Sequence, residues 1–276
     1  MKKVAFQGAR GAYSEMALLK YFGNDVSPVG FDLSEQVCEA LEESEVDFAI
    51  LPVENSIVGN VSVNLDLLYN HNFFAIGEVY LPIHHCLLVN PGTKLEDIKT
   101  AHSHPIALAQ CRDFLNRHGI KAQPDFDTAG SCKLLKERGH QNEATIASSL
   151  CAEVYGLEIL EDHIQKVQNN FTRFLVFIRE SDMSSEYKQE KTSLAFTTKH
   201  KPGALLNCLQ EFKRFDLNLT KLESRPIPEN PFAYIFYVDF IGALGDENVH
   251  ACLETLKYDT ETIKILGSYP QGKVDF

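Results

Sequence analysis

Short apolar runs alternate with segments of helical periodicity from residue 3 to residue 180. The runs VAFQ at 4–7 and DFAILPV at 47–53 predict buried strands, because a strand covered on both faces shows little polar alternation. A longer apolar run at 73–89 contains Pro82, which predicts a bend or a strand edge within the run. Strands that alternate with helices predict an α/β fold with a mostly parallel sheet.

The segments between these runs complete the predicted order of elements. Helices are predicted over 14–22, 62–70, 105–117 and from a cap at Asp127 or Thr128 to Arg138. Further strands are predicted over 100–103, 122–126, 144–148 and 173–179. The long run at 73–89 and the late strand at 173–179 could connect two lobes, so a two-lobed region is the expectation.

A polar stretch at 181–190, SDMSSEYKQE, lacks apolar periodicity and predicts a linker. Beyond it, the order of elements is strand, helix, strand, strand, helix, strand, which is the ferredoxin-like βαββαβ arrangement. Leu205, Leu209 and Phe212 mark one face of its first helix. We therefore predict two domains, at 1–181 and 191–271. An antiparallel sheet with helices on one face often pairs with a second copy, so dimerisation is expected.

Charge and composition narrow the class of protein. Acidic residues outnumber basic ones by 38 to 26, which gives a formal net charge of -12. This balance argues against nucleic acid or an anionic membrane as the main partner. The start, MKKVAF, predicts a strand in place of a signal peptide. The seven scattered cysteines form no CxxC pair, as expected of reduced thiols in a cytoplasmic protein.

Two groups of histidines and one glycine-rich loop could bind a cofactor, but each has a simpler interpretation. His84, His85 and Cys86 lie in an apolar run, and His102 and His104 precede Pro105, so core or capping histidines are favoured over metal ligands. The loop QGARGAYSE at 7–15 matches neither GxGxxG nor GK[ST]. No metal or nucleotide cofactor is therefore predicted, although a helix start such as this one can bind an anion.

Polar side chains recur where the predicted strands begin or end. In NNFTRFLVF, residues 169–177, a hydroxyl and a guanidinium open a buried run, and ENS at 54–56 follows the strand at 47–53. Such groups are costly to bury without a hydrogen-bond partner. They therefore lie either at solvent-exposed strand ends or in a cleft where a bound ligand supplies the partners. Together they would suit a small polar anion. The candidates are Ser14, Glu54, Asn55, Ser56, Ser103, Thr128, Ser148, Asn170, Thr172 and Arg173, together with the adjacent Phe174 of the same segment.

The C-terminal domain has two candidate segments of its own. PGALL at 202–206 opens a helix with small residues and leaves backbone N–H groups accessible. LESRP at 222–226 carries Glu223 and Arg225, which form either a surface ion pair or part of a site for an amino-acid zwitterion. The candidates for such a regulatory site are Gly203, Ala204, Leu205, Leu206, Asn218, Leu219, Glu223, Ser224 and Arg225.

Taken as an ordered set, these segments resemble the prephenate dehydratase family, including the plant-type arogenate dehydratases. QGARGAYSE, VENS with Gly59 and LDLL, SHPIALAQC, IAS and NNFTRF match the catalytic region, and PGALL and LESRP match the phenylalanine-sensing motifs of an ACT domain. The resemblance covers nearly the whole chain. Ala9 and Ala12 depart from the bacterial form of the opening motif, and AYSE is closer to the plant type, which leaves the choice of substrate open.

The resemblance implies a two-lobed catalytic region like that of periplasmic binding proteins, with the active site in the cleft. It also implies a homotetramer, built as a dimer of dimers. No chorismate mutase segment precedes the catalytic motifs, so a monofunctional enzyme is the expectation. The implied reaction converts prephenate to phenylpyruvate in L-phenylalanine biosynthesis, with no cofactor and with feedback regulation by L-phenylalanine. The implied catalytic residues are Thr172, Glu54, Asn55 and Ser56, and the other residues named above for the cleft would bind substrate.

Thr172 is implied as the partner of the leaving hydroxyl, and Arg173 as the partner of a carboxylate if it faces the cleft. Successive residues of a strand point to opposite faces, so a regular strand cannot direct both inward. Two other functions remain open. An arogenate dehydratase would form L-phenylalanine directly, and a non-catalytic protein would bind a small anion and sense an amino acid.

Overall fold

A computed structural model describes residues 1–227 and 230–274 of the chain. The residues divide into two compact units. The first unit comprises Met1–Asn60 and Val79–Phe174 with Val274, and the second comprises Val61–Glu78 and Leu175–Lys273. The second unit therefore includes a segment from the middle of the predicted first domain. The predicted domain limits at 181 and 191 remain predictions.

The strands and helices are as follows, in chain order. The first are β1 Lys2–Gln7, α1 Tyr13–Phe22, β2 Val26–Phe31, α2 Ser34–Glu42, β3 Phe48–Asn55, β4 Gly59–Asn60, α3 Ser62–Asn70 and β5 Phe73–Pro82. The next are β6 Cys86–Val89, β7 Thr100–Ser103, α4 Pro105–Gln110, α5 Arg112–His118, β8 Lys121–Pro124, α6 Thr128–Arg138, β9 Glu143–Ala147, α7 Ser149–Tyr155 and β10 Glu158–Glu161. The last are β11 Phe171–Arg179, β12 Lys191–Thr198, α8 Ala204–Arg214, β13 Leu219–Ile227, β14 Asn230–Ile241, α9 Glu247–Leu256 and β15 Thr260–Tyr269.

The first unit contains two α/β lobes. In one lobe β1 lies between β2 and β3 and is parallel to both, and β11 lies next to β3. Val4, Ala5 and Phe6 of β1 are fully buried, as expected for a central parallel strand covered on both faces. The other lobe is a sheet of order β10-β6-β9-β7-β8, in which β7 is parallel to β8 and β9 while β6 is antiparallel to its neighbours. The predicted α/β class is confirmed.

Two predicted elements are divided in the structure. The apolar run at 73–89 forms β5, which ends at Pro82, and β6, so the predicted break at the proline is confirmed. The predicted helix over 105–117 is interrupted at Cys111, whose backbone angles of φ -100° and ψ 7° separate α4 from α5. Helix α3 follows the predicted range of 62–70.

The second unit contains the ferredoxin-like arrangement. Its sheet has the order β13-β14-β12-β15, and all three pairings are antiparallel. Helices α8 and α9 supply Cys208, Phe212, Cys252 and Leu256 to a core against one face of this sheet. The buried stripe of α8 is Ala204, Cys208 and Phe212, one position away from the stripe that the sequence predicted at Leu205 and Leu209.

The other face of this sheet is also in contact with a helix. Tyr237 of β14 is 1% exposed and lies edge-on to Tyr69 of α3, with ring centroids 6.4 Å apart. The predicted placement of α8 and α9 on one face is confirmed, and α3 adds a contact to the other face. The helix that covers part of the second face comes from a distant part of the sequence, which periodicity within 191–271 could not reveal.

Strand β15 also pairs with β5, in parallel, at Gly267 and Ala75. A Cβ atom at Gly267 would lie 2.4 Å from the backbone oxygen of Ala75, so glycine allows the two backbones to approach. No helix in the part of the chain that the structure describes is long and apolar enough to span a membrane.

Candidate active site

The ends of β3 and β11 bring two predicted catalytic residues together. The Asn55 side-chain nitrogen Nδ2 lies 2.9 Å from Thr172 Oγ1 and 2.8 Å from Asn170 Oδ1. Nδ2 is also 3.2 Å from the carbonyl oxygen of Phe171. The amide of Asn55 is therefore the centre of a hydrogen-bonded cluster that joins two segments more than 100 residues apart in the sequence.

Backbone groups fix the orientation of the Asn55 amide. Its Oδ1 accepts hydrogen bonds from the backbone N–H groups of Ile57 at 3.0 Å and Val58 at 2.9 Å. A backbone N–H can only donate, so the oxygen must face these residues and Nδ2 must face Thr172. The Thr172 oxygen thus accepts a hydrogen bond from Asn55. This bond does not use the hydroxyl hydrogen of Thr172, which can be donated to another group.

Arg173 points to the opposite side of β11 from Thr172. Its side chain is 4% exposed, and its Nη1 lies 3.7 Å from Oε2 of Glu54, which is 41% exposed. Glu54 precedes Asn55 just as Arg173 follows Thr172, so strand alternation pairs the two charged residues on one face and the two polar residues on the other. Phe174 is 2% exposed and belongs to the core. The structure thus separates Glu54 and Arg173 from the Asn55–Thr172 pair, whereas Phe174, two residues after Thr172, lies on the face of Thr172 as part of the core.

Ser56 connects the turn after β3 to the start of β11. Its Oγ accepts a hydrogen bond from the Phe171 N–H at 2.9 Å and donates to the Asn169 carbonyl at 3.3 Å. The backbone N–H of Ser56 donates to the Phe171 carbonyl at 2.8 Å. These bonds hold the turn that carries Ile57 and Val58, and so support the orientation of Asn55.

The sequence did not identify Gln110, His85 or Tyr13 as site residues, yet all three continue the hydrogen-bonded cluster. Asn170 Nδ2 lies 3.3 Å from Gln110 Oε1, which is 2.7 Å from His85 Nε2. His85 Nδ1 is in turn 2.8 Å from the hydroxyl of Tyr13. Gln110 lies in the segment SHPIALAQC and Tyr13 lies next to Ser14. Both segments drew attention in the sequence, but neither residue type carries a signature of its own.

Several other predicted substrate ligands have partners in the protein. Ser103 is fully buried and donates to the Ile146 carbonyl at 2.6 Å. Ser148 is 1% exposed and donates to the Gly11 carbonyl at 2.5 Å, besides capping α7. This placement favours structural roles for these two hydroxyls. Thr128 is half-buried at the start of α6, where Asp127 is the capping residue.

Ser14 lies in the first turn of α1 and is 8% exposed. The N-cap residue of this helix is Ala12, which supplies no capping side chain. Other helix starts in this unit have side-chain caps, such as His104 at α4 and Asp127 at α6. An uncapped first turn is a favourable place for an anion, and binding of the substrate by Ser14 stays a prediction.

The loop before α1 is held in place by buried contacts. Glu15 is 1% exposed, and its carboxylate accepts from the Gly11 N–H at 2.6 Å and pairs with Arg10 Nε at 2.7 Å. A Cβ atom at Gly11 would lie 2.7 Å from Cys151 Sγ, and Gly11 has a φ of 86°. The glycine is required here by close packing against α7, a structural role that the sequence motif did not distinguish from phosphate binding.

The cysteines and histidines show no arrangement for nucleophilic or metal chemistry among the described residues. All seven cysteines are free thiols and buried. Burial raises the pKa of Cys86 to about 11 and of Cys111 to about 12, so these thiols stay protonated. Within residues 1–227 and 230–274, no three His, Cys, Asp or Glu side chains are placed to hold a metal ion. His104 instead caps α4 by accepting from the Ile106 N–H.

The predicted regulatory residues of the second unit fall into three places. Gly203, Ala204, Leu205 and Leu206 line a cavity of about 630 Å³ at the start of α8. Asn218 and Leu219 line a different cavity of about 320 Å³ at the other end of that helix. One protomer therefore does not bring these two groups of residues to the same cavity.

Glu223 and Arg225 form the third group and are bonded to helix α3. Glu223 Oε1 accepts from Ser62 Oγ at 2.5 Å, and Arg225 Nε is paired with Asp66 Oδ2. Asp66 Oδ1 accepts from the hydroxyl of Tyr237 at 2.7 Å. Ser224 is exposed on the opposite face of β13. The prediction that Glu223 and Arg225 bind an amino acid is thus not favoured, because their charged groups already have partners within the unit.

Comparisons with known proteins agree with this description. The family model described as prephenate dehydratase matches residues 4–182. Arogenate dehydratase/prephenate dehydratase 2 of Arabidopsis thaliana, a chloroplastic protein, is 40% identical over 97% of this chain and 72% of its own length. A solved prephenate dehydratase of Arthrobacter aurescens in complex with L-Phe has 30% identity and a TM-score of 0.88, and covers 98% of this chain and 90% of the other. GqqA, described as a novel type of quorum quenching acylase, has 32% identity and a TM-score of 0.90 over 98% of each chain.

The fold is therefore that of a two-lobed α/β enzyme region followed by a ferredoxin-like βαββαβ unit. The length of the family match and the identity to the plant relative show the family directly. The chain belongs to the prephenate dehydratase family. The predicted enzyme class, a carbon–oxygen lyase of aromatic amino-acid biosynthesis, is confirmed.

Proposed function

We propose that this chain converts prephenate to phenylpyruvate, with the hydroxyl of Thr172 as the hydrogen-bond donor to the leaving hydroxyl group. The observation that carries this proposal is the 2.9 Å contact in which Thr172 Oγ1 accepts from Asn55. That contact fixes the oxygen and leaves the hydrogen for the substrate. The oxygen also becomes more able to donate its hydrogen, because an accepted hydrogen bond polarises the group.

The reaction balances without a cofactor. The ring carboxylate leaves as carbon dioxide, its bonding electrons enter the ring, and the C–O bond of the ring hydroxyl breaks on the far side. The hydroxyl group departs as hydroxide and takes up a proton from solvent to become water, and aromatisation drives the reaction. The protein must hold the substrate in the reactive geometry and stabilise the departing hydroxide. A threonine hydroxyl is a weak acid, so a hydrogen bond that strengthens as charge develops is the favoured role.

The remaining residues of the cleft have supporting roles in this proposal. The uncapped first turn of α1 at Ser14 binds a substrate carboxylate. Ser56 and Asn170 hold Asn55 and Thr172 in register through the contacts described above. Arg173 and Glu54 pair with each other on the opposite face and so link the two strand ends.

The choice between prephenate and arogenate is tested by direct assay. The purified protein is incubated with each compound, and phenylpyruvate and L-phenylalanine are measured. The proposal predicts phenylpyruvate from prephenate at the higher kcat/KM. Preferential formation of L-phenylalanine from arogenate would identify an arogenate dehydratase, which the names of the plant relatives support as the second candidate.

An N-acyl amide substrate belongs in the same assay, because a similar solved structure is described as an acylase. Hydrolysis of the amide without dehydration of either ring compound would overturn the proposal. Binding of prephenate without turnover of any of the three substrates would indicate the non-catalytic protein.

Feedback regulation by L-phenylalanine is proposed for the 630 Å³ cavity at the start of α8. The similar structure in complex with L-Phe supports this ligand. Gly203 precedes the helix with a φ of 80° and no capping side chain, so first-turn N–H groups can bind the ligand carboxylate. Leu206 and Tyr234 supply an apolar wall. The resemblance to ACT domains implies that this cavity lies where two copies of the chain meet. We propose that a second copy brings its Asn218 and Leu219 there, within a dimer of dimers in the cytoplasm.

Leu206→Ala tests the regulatory proposal. Leu206 is 58% exposed and lines the cavity, whereas Leu222, 46% exposed on β13, lies elsewhere in the same unit. Leu206→Ala should weaken L-phenylalanine binding in calorimetry and keep basal turnover, while the control Leu222→Ala should bind like the parent. A larger residue at Gly203 is a poorer test, because its φ of 80° strains any side chain. Absence of binding by the parent protein would refute the assignment.

A further inference from the structure

His85 is placed at the end of a line of buried and half-buried polar side chains that leads to Thr172. The line runs from His85 to Gln110, Asn170 and Asn55 with contacts of 2.7, 3.3 and 2.8 Å. His85 is 3% exposed and Asn170 is 1% exposed. In such a line each donor must face an acceptor. Once the donor and acceptor of one hydrogen bond are known, those of the next hydrogen bond follow.

The direction of every bond in this line can be deduced from its Asn55 end. The N–H groups of Ile57 and Val58 fix the oxygen of Asn55, so its Nδ2 must donate to Asn170 Oδ1. The other end of the Asn170 amide is then the donor Nδ2, and its partner on Gln110 must be the oxygen Oε1.

The same oxygen of Gln110 lies 2.7 Å from His85 Nε2. A carbonyl oxygen accepts, so Nε2 must carry a hydrogen. The remaining nitrogen, Nδ1, lies 2.8 Å from the hydroxyl of Tyr13, which can donate to it. That hydroxyl also lies 2.7 Å from the His84 carbonyl oxygen, and its single hydrogen can serve either acceptor. The bond directions deduced from Asn55 therefore assign the hydrogen of a neutral His85 ring to Nε2 and leave Nδ1 as an acceptor.

We infer that His85 is a positioning residue for the dehydration, because its Nε2–H group holds the amides of Gln110 and Asn170 in the one orientation that lets Asn55 donate to Thr172. This inference rests on the proposed role of Thr172. Without the Nε2–H group, Gln110 could rotate by half a turn and present its nitrogen to Asn170. Asn170 would then have to turn as well, and it would place a donor against the donor of Asn55.

Two substitutions at His85 separate this role from simple packing. The side-chain amide of glutamine reaches the position of Nε2, and the shorter amide of asparagine reaches the position of Nδ1. His85→Gln therefore can keep a donor to Gln110, and His85→Asn loses it. Misplacement of a reacting group by a distant change lowers rate more than binding, so kcat of His85→Asn should fall roughly tenfold with KM little changed. His85→Gln should stay within about threefold of the parent.

The neighbouring histidine supplies a matched control. The ring of His84 contacts Gln165 and His163, and its side chain does not belong to the line. His84→Asn should therefore keep the kcat of the parent. Equal losses of kcat in His85→Asn and His85→Gln, or no loss in His85→Asn, would overturn the inference.

The tautomer of His85 can be measured in the unmodified protein, which keeps the test decisive if a variant fails to fold. Long-range ¹H–¹⁵N correlation spectra of the ¹⁵N-histidine-labelled protein report which ring nitrogen carries hydrogen, and the signal absent from His85→Gln identifies the residue. A hydrogen on Nε2 is expected. A neutral ring with its hydrogen on Nδ1 would overturn the inference whatever the kinetics. Failure of the proposed function is distinguished by Thr172→Ala, whose full activity would refute Thr172 and leave the tautomer unaffected.

Discussion

Two strands of this protein carry polar motifs that look alike in the sequence and differ in the structure. In NFTRF, Thr172 and Arg173 are adjacent, so they occupy opposite faces of β11. In LESRP, Glu223 and Arg225 are two residues apart, so they share one face of β13. Helix α3 bonds to both charged residues on that shared face, while Thr172 keeps a hydrogen to donate.

The difference shows that the role of a charged residue in a strand depends on which element packs against its face of the sheet. Asp66 of α3 neutralises Arg225 and accepts from Tyr237, so these polar groups serve the packing of a helix onto a sheet. Asn55 and Thr172 are arranged by backbone groups so that one hydrogen remains available. The first arrangement stabilises structure, and the second supports chemistry.

Among the variants that keep the hydroxyl of Thr172, Asn55→Asp should give the largest effect on turnover. The substituted oxygen could accept the hydrogen of Thr172, which would then be withheld from the leaving group. Removal of one stabilising donor typically costs about a hundredfold in kcat, so a loss of that order is expected with prephenate. Asn116→Asp on the exposed face of α5 makes the same chemical change as a control. Parental kcat in Asn55→Asp would show that the deduced direction of the bond is irrelevant to catalysis.

Asp66→Ala should lower stability and spare basal turnover. It leaves the buried hydroxyl of Tyr237 and the guanidinium of Arg225 without their acceptor, which should lower the free energy of unfolding by about 1–3 kcal/mol. Urea denaturation measures this change. Asp66→Asn keeps an oxygen for Tyr237 and should cost less. If the free energy of unfolding of Asp66→Ala equals that of the parent, the contacts of Asp66 with Tyr237 and Arg225 do not stabilise the protein. The structural role assigned to LESRP would then be wrong.

The stability of the protein should depend on pH through His85. Burial lowers the pKa of His85 from its ordinary value of 6.5, so the unfolded chain takes up a proton at a higher pH than the folded protein does. The contribution of His85 to the free energy of unfolding is therefore fully present above pH 6.5. It decreases as the pH falls from 6.5 toward the pKa of His85 in the folded protein. The slope below pH 6.5 should be smaller in His85→Gln, and an identical slope would mean that other groups control it.

Removal of metal ions should have the smallest effect, namely none. Prolonged chelation followed by dialysis is expected to leave kcat with prephenate unchanged, because the proposed chemistry needs hydrogen bonds alone. Activity that is lost on chelation and restored by a divalent cation would contradict this, and would return His84, Cys86, His102 and His104 to consideration as ligands.

Much of the fold could be predicted because it depends on local patterns. Apolar runs marked the central strands, Pro82 marked the break between β5 and β6, and the order of elements after 190 gave the ferredoxin-like sheet. The position of α3 on β14 could not be predicted, since nothing local to 62–70 specifies a partner beyond residue 220. Such contacts depend on tertiary packing, which periodicity does not encode.

The candidate site was predictable to a similar extent. Asn55 and Thr172 belong to recognisable segments, and the alternation rule correctly anticipated that Thr172 and Arg173 would diverge. Gln110 and His85 were missed because a glutamine at a helix end and a histidine in an apolar run are ordinary features. Their importance depends on a line of contacts between segments far apart in the chain, which becomes visible only when distances are known.

The most direct test compares Thr172→Val with Arg225→Met, with kcat and the free energy of unfolding measured on both. Thr172→Val keeps the shape of the side chain and removes the hydroxyl, and Arg225→Met keeps the stem and removes the charge. Thr172→Val should lose about a hundred- to a thousandfold in kcat and remain folded. Arg225→Met should keep kcat and lose up to about 1 kcal/mol of stability. Parental turnover in folded Thr172→Val, or loss of turnover in Arg225→Met alone, would contradict the account.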